Sequence, residues 1–217
     1  MPLIDKHGLL SNIHYANPVI LELGCGSRKR IPQAIGIDIL DYECVDIIGD
    51  AVEVLQIIPD ASVDRISSHH FLEHVNNLDM LLQEVTRVLR FGGKFEVVVP
   101  HFSNPYYYSD PTHRNNFGLY TFSYLADDSL FQRKVPHYKN VFLSLLKVDL
   151  HFKSSPPFYI RYAVKRLFGI LFNSCTYMQE FYEENLCYIF PCYEIEYVLK
   201  RSDELSLDVS GKDMHNK

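Results

Sequence analysis

The stretch "VILELGCGSRKRIPQAIGIDIL", residues 19–40, constrains the fold more than any other. Residues 19–23 are a short apolar run broken only by Glu22, and glycines follow at once, which is how a buried parallel strand ending in a tight turn reads. A second such run, 34–40, carries Asp38 near its end. "VDIIGDA" (45–51), "SVDRISS" (62–68) and "KFEVVVP" (94–100) repeat the pattern. Between the last two lies "NNLDMLLQEVTRVLR", with Leu78, Leu81, Leu82, Val85, Val88 and Leu89 on one helical stripe. Asn76 or Asn77 is placed to cap its start, Arg87 and Arg90 suit its negative end, and Gly92–Gly93 is expected to stop it. Strands alternating with such connections imply an α/β fold with a parallel sheet and right-handed crossovers.

At 217 residues, the chain is expected to form a single domain over 1–202. It holds a lid or binding loop near 101–125, a helical insertion near 154–192 and a flexible tail at 203–217. "LLKVDLHFK" (145–153) and "YEIEYVLK" (193–200) alternate as half-exposed strands. A net charge of −6 leaves the chain without the footprint of a nucleic-acid binder, so no nucleic-acid partner is expected. The cluster Arg28–Lys29–Arg30 is a local exception with no assigned role. Five cysteines, an odd number with no Cys-x-x-Cys pair, point to a reducing compartment, with neither a disulfide framework nor a structural zinc site. With Asp5, Lys6 and His7 near the start and no apolar run of membrane-spanning length, the expected location is the cytoplasm. "LFGILF" (167–172) is expected to be core under a sheet; the alternative is a surface that makes peripheral contact with a lipid or lipid-linked molecule.

The glycine turn is an incomplete dinucleotide fingerprint, because the third glycine of Gly-x-Gly-x-x-Gly falls on Lys29. Gly24 and Gly26 let backbone N–H groups approach an anionic ligand, although turn geometry alone would also call for them. Asp38, at the end of the second run, suits a pair of ribose hydroxyls. It follows Gly24 by 14 positions, whereas a dinucleotide unit places its acid about 20 residues on, after a full helix. Asp50 suits an exocyclic amino group or, alone, a helix cap.

Taken in order, "VILELGCGS", "GIDI", "GDA", "VDRISSHHFLEHV" and "EVTRVLRFGGKFEVVVP" resemble the class I S-adenosylmethionine-dependent methyltransferases over residues 19–100, with Phe91 where that family usually has proline. The resemblance implies a Rossmann-like, doubly wound sheet of about seven strands with helices on both faces and an antiparallel last strand. Its cofactor would be S-adenosylmethionine. Carried over by position, Glu22, Gly24 and Gly26 would hold the methionine part, Asp38 and Ile39 the ribose side, Asp50 and Ala51 the adenine, with His69 at the rim. Residues just after the fourth strand would lie nearest the methyl group.

Methyl transfer needs in-line positioning and relief of a proton. His70 is a candidate to take that proton near neutral pH. His101 follows the fifth strand and is expected to point into the same rim, while Asp110 and His113, in "YYYSDPTHRNNFGLY", are candidates to polarise an acceptor hydroxyl. Packing and local capping are the alternatives at each position. The acceptor is expected to be a small or carrier-linked molecule, with a sugar or cell-envelope hydroxyl hinted at by the resemblance. No metal site is expected, since the ten histidines are scattered in the sequence. Two other functions fit a similar sheet: a nicotinamide oxidoreductase, disfavoured by Lys29 and the short spacing, and a non-catalytic binding module, disfavoured by the intact Gly24, Gly26 and Asp38.

Overall fold

The first apolar run becomes the central strand β2 (Ile20–Leu23), every residue of it buried, and it pairs in parallel with β3 (Ile35–Asp38) on one side and β5 (Val63–His69) on the other. The computed structural model describes residues 2–13, 17–136, 138, 141–154 and 157–202. The remaining strands are β1 (Ile4–Asp5), β4 (Ile47–Ile48), β6 (Leu89–Pro100), β7 (Asp127–Asp128), β8 (Leu143–His151) and β9 (Glu194–Arg201). They form one sheet in the order β1-β4-β3-β2-β5-β6-β9-β8-β7. The sheet has nine strands where about seven are expected, and the two extra ones, β1 and β7, are two-residue edge strands. As expected, β9 runs antiparallel to both β6 and β8. The helices are α1 (Leu9–Asn12), α2 (Ala51–Ile57), α3 (Leu78–Val88), α4 (Tyr159–Phe172) and α5 (Thr176–Asn185). The tail expected at 203–217 lies outside the described residues.

No helix lies between β2 and β3; turns and bends fill that connection. The helical stripe of α3 lies against the sheet, with Leu81, Leu82, Val85 and Val88 at 0 or 1% exposure, so each supplies about 1.5–3 kcal/mol of burial. Asn77 caps α3 by accepting from Met80 N–H. The helix ends at Val88, before the glycines. Leu89 is already extended and the strand β6 begins there. Gly92, at φ +76, and Gly93, whose Cβ would lie 2.8 Å from Arg90 O, instead serve the irregular pairing with β5, which shifts register between Val63 and Arg65. Arg87 closes the opposite end of the layer, donating to Leu55 O and Ile58 O at the C-terminus of α2.

The expected core role of 167–172 holds for Phe172 and in part for Phe168, which pack with Phe152. It fails for Leu167, Ile170 and Leu171, which face outward at 64, 69 and 50% exposure. A helix laid across the end of a sheet buries one narrow stripe, and here the apolar residues extend beyond it. Among the described residues no helix is long and apolar enough to cross a membrane.

Candidate active site

The strand order reverses beside β2, where β3 lies on one side and β5 on the other, and ligands of open parallel sheets bind beyond the strand ends at such a point. There the structure has a groove of about 990 Å³. Gly24, Gly26, Asp38, Ile39, Asp50 and Ala51 line it, together with His70, Phe71, His74 and Thr112.

The turn is built for close approach. Gly24 and Gly26 adopt φ of +65 and +59, and a Cβ on Gly24 would sit 2.6 Å from the Phe71 ring. Asp38 holds the turn from below: Oδ2 accepts from Gly26 N–H at 2.8 Å and Oδ1 from Leu40 N–H at 2.9 Å. Asp50 caps α2 through Oδ1, which accepts from Val52 and Glu53 N–H, as the cap reading expects, and it also lines the groove.

Glu22 departs from its expected role. Its buried carboxylate accepts from Arg30 N–H at 2.9 and 3.0 Å and from Ile31 N–H at 3.0 Å, and it is absent from the groove wall. The basic run is therefore part of a structural latch. Lys29, in the place of the missing third glycine, sends its ammonium to Asp46 at 2.7 Å and Ala34 O at 3.0 Å. Its stem covers Gly36, where a Cβ would come within 3.0 Å of Lys29 Cδ.

His70 sits at φ +52, a strained conformation for a residue with a Cβ, at the exit of β5. Its Nδ1 meets Glu73 Oε1 at 3.1 Å and its Nε2 meets Glu194 Oε1 at 2.8 Å. Burial alone would lower its pKa, but the two hydrogen bonds and the nearby carboxylates raise it to about 9. The expectation that His70 takes a proton near neutral pH is therefore corrected: the ring is already protonated and both nitrogens are engaged. Glu194, pulled down to about 2 by His70 and Lys153 against its burial, also pairs with the Lys153 ammonium. His69 packs edge-on against His70 and is lowered to about 4, chiefly by burial and then by the His70 charge; it does not line the groove.

The loop after β6 is fastened to the turn after β5. Arg114 and Asn115 N–H donate to Glu73 O, and the Asn115 side-chain amide donates to Leu72 O and Val75 O. Thr112 of this loop reaches the groove wall, which Asp110 and His113 do not line. In that wall Thr112 donates its hydroxyl to Asp110 Oδ1 at 2.6 Å, so its oxygen accepts from His74 Nδ1–H at 2.9 Å, and the lone pair of a neutral His74 ring lies on Nε2. His113 donates Nδ1–H to Tyr107 O at 2.8 Å and packs against His74, with 4.8 Å between ring centroids. His101 departs from expectation: it is fully buried between Ser103 Oγ at 2.8 Å and Glu183 Oε2 at 3.1 Å, away from the rim. His74 is one of the residues just after the fourth strand that the resemblance places nearest the methyl group, and the sequence alone assigned it no role of its own.

A second groove, of about 510 Å³, runs between Tyr106, Phe168 and Phe190, with Lys153, Arg161 and Lys165 on its walls. Glu194 lies between the two grooves, paired with His70 of the first and Lys153 of the second. Among the described residues, three groups of side chains bring ligand-type atoms within 4.8 Å of one another: His69, His70 and Glu194; Glu73, His74 and His113; Asp149, His151 and Glu196. Their carboxylates already have partners: Glu194 pairs with His70 and Lys153, Glu73 with His70, Asp149 with Lys147, and Glu196 meets His151 Nε2 at 2.9 Å.

Residues 21–97 match a family model described as a methyltransferase domain. The fold is similar to that of a SAM-dependent methyltransferase from Archaeoglobus fulgidus at 18% identity and a TM-score of 0.53, covering 89% of this chain and 91% of that one. Weaker likenesses include the YcgJ protein of Bacillus subtilis, at 17% identity and a TM-score of 0.49 over 91 and 99% of the two chains. Another is phosphoethanolamine N-methyltransferase 2 of Haemonchus contortus, at 13% identity and a TM-score of 0.48, where the match covers 85% of this chain and 48% of that one. No curated protein matches the chain.

Proposed function

Residues 21–97 are a methyltransferase domain and the chain is a class I S-adenosylmethionine-dependent methyltransferase; from that premise we propose that it methylates a hydroxyl of a small or carrier-linked acceptor, with His74 as the proton acceptor. The groove fits the cofactor. Gly26 has open space where a Cβ would stand, Gly24 in its left-handed turn lines the same wall, Asp38 and Ile39 follow at the end of β3, and Asp50 with Ala51 stand at the start of α2. When bound, S-adenosylmethionine supplies an electrophilic methyl group on a sulfonium.

The observation that carries the acceptor reading is the Asp110–Thr112–His74 chain at the groove wall. It fixes the His74 tautomer so that Nε2 is the receiving atom, and Asp110, which the Thr112 hydrogen bonds keep below the usual carboxylate range, anchors the chain. Asp110 thus acts as a positioning residue, and His113 packs the ring in place. His70, as an imidazolium between two carboxylates, fixes the turn and the separation of the two grooves. The second groove, apolar with Lys153, Arg161 and Lys165 around it, suits an acceptor with an apolar part and an anionic group, as a phosphate-carrier conjugate has.

The test is transfer of a tritiated methyl group to a pool of sugars and carrier-linked sugars. We expect transfer by the native chain and a loss of about 100-fold or more in His74→Gln, with affinity for S-adenosylhomocysteine unchanged within about twofold. Equal transfer by the variant removes His74 from the role. Transfer by the native chain to no hydroxyl-bearing fraction overturns the acceptor class.

A further inference from the structure

The side of α4 turned away from the body is apolar. Ile160, Val164, Leu167 and Leu171 fall at spacings of four, three and four, one stripe of a helix, and all are exposed, Ile160 at 83%. The inner stripe is Lys165, Phe168 and Phe172. An amphipathic helix that turned its apolar stripe to its own core would show the reverse arrangement. Tyr159, at 71% exposure, opens the same helix and presents an amphipathic ring of the kind that settles at a lipid headgroup boundary.

Charge selects what covers this face. The chain as a whole is at −6, yet the 14 residues of α4 contain Arg161, Lys165 and Arg166 and no acid. A second copy would bring the same cations against themselves, whereas an anionic bilayer supplies the opposite sign and an apolar layer for the stripe. The second groove is continuous with the face, because Ile160, Val164 and Ile189 line it and are exposed around its opening.

We propose that the outer face of α4 docks the protein on an anionic membrane surface, with the second groove opening toward the lipid. The docking stands on the face itself. That the groove receives a carrier-linked acceptor from the bilayer rests on the function proposed above.

Co-sedimentation of the full chain with vesicles tests it, using phosphatidylcholine alone and phosphatidylcholine with about one third phosphatidylglycerol. The native chain should sediment with the anionic vesicles, release as salt is raised, and stay largely in solution with the neutral ones. Leu167→Asp, at an exposed position, should weaken binding at least tenfold, and Arg166→Glu by about fivefold or more. Both variants should keep native affinity for S-adenosylhomocysteine in a calorimetric titration, which separates a failure of docking from a failure of the methyltransferase reading. A native chain that ignores anionic vesicles overturns the proposal, as does a Leu167→Asp variant that binds them equally. A dimer in sedimentation equilibrium that Leu167→Asp dissolves also overturns it, and assigns the face to a second copy.

Discussion

His70 and its neighbours set a pH dependence whose sign can be worked out residue by residue. Glu73, Glu194 and His69 face the His70 ring, with Lys153 behind Glu194. The pKa of His70 rises from 6.5 to about 9, so its stabilisation is complete below 6.5 and is lost as pH climbs through 9. His69 falls from 6.5 to about 4, so stability is lost as pH drops through that window and the unfolded state takes up a proton the folded state refuses. Glu194, depressed from 4.5 to about 2, adds a further loss below 4.5. Thermal unfolding should therefore be most resistant near pH 6.5, declining on both sides. His70→Gln should flatten the alkaline limb and His69→Gln the limb between 6.5 and 4; a variant whose limb is unchanged would put the titration elsewhere. At this scale the sequence was informative about Gly24, Gly26, Asp38 and Asp50, because backbone freedom and a carboxylate at a strand end are local needs. It was not informative about Glu22, His70, His74 or His101, whose partners lie on the latch, on β9, on the loop at 110–112 and on α5.

Among the elements, the glycine turn and the turn after β5 are one unit, since Gly24 makes room for Phe71. Gly24→Ala places a Cβ 2.6 Å from the Phe71 ring at a φ of +65 and should cost about 2–4 kcal/mol of stability. Phe71→Ala alone should also destabilise, yet the double variant should lose at least about 1 kcal/mol less than the two single losses added together, measured by denaturant unfolding. Simple additivity would show that the two turns are not coupled. The parallel strands were legible as short apolar runs and the cap as Asn76 or Asn77 ahead of a helical stripe, whereas the antiparallel direction of β9 came from the family resemblance and not from its own pattern. The end of α3 was misplaced by that same reasoning, since Gly92 and Gly93 also satisfy a strand irregularity, and only pairing with β5 decides between the two uses.

For the molecule as a whole, the sheet order places the groove beside β2, while Glu22, bonded to the Arg30 and Ile31 N–H groups, and Lys29, bonded to Asp46, fasten the connection that follows the truncated fingerprint. The outward apolar face of α4 was not legible, because a helical stripe in sequence does not say which way it turns. The central claim, a methyltransferase cofactor in that groove, is tested most directly by thermal unfolding with S-adenosylhomocysteine and, separately, with NAD. At 100 times its dissociation constant a ligand adds about 2.7 kcal/mol, about 5–10 °C for a chain of this size. S-adenosylhomocysteine should produce that shift in the native chain and, at the same concentration, a much smaller one in Asp38→Ala, with NAD giving none; stabilisation by NAD alone would contradict the account.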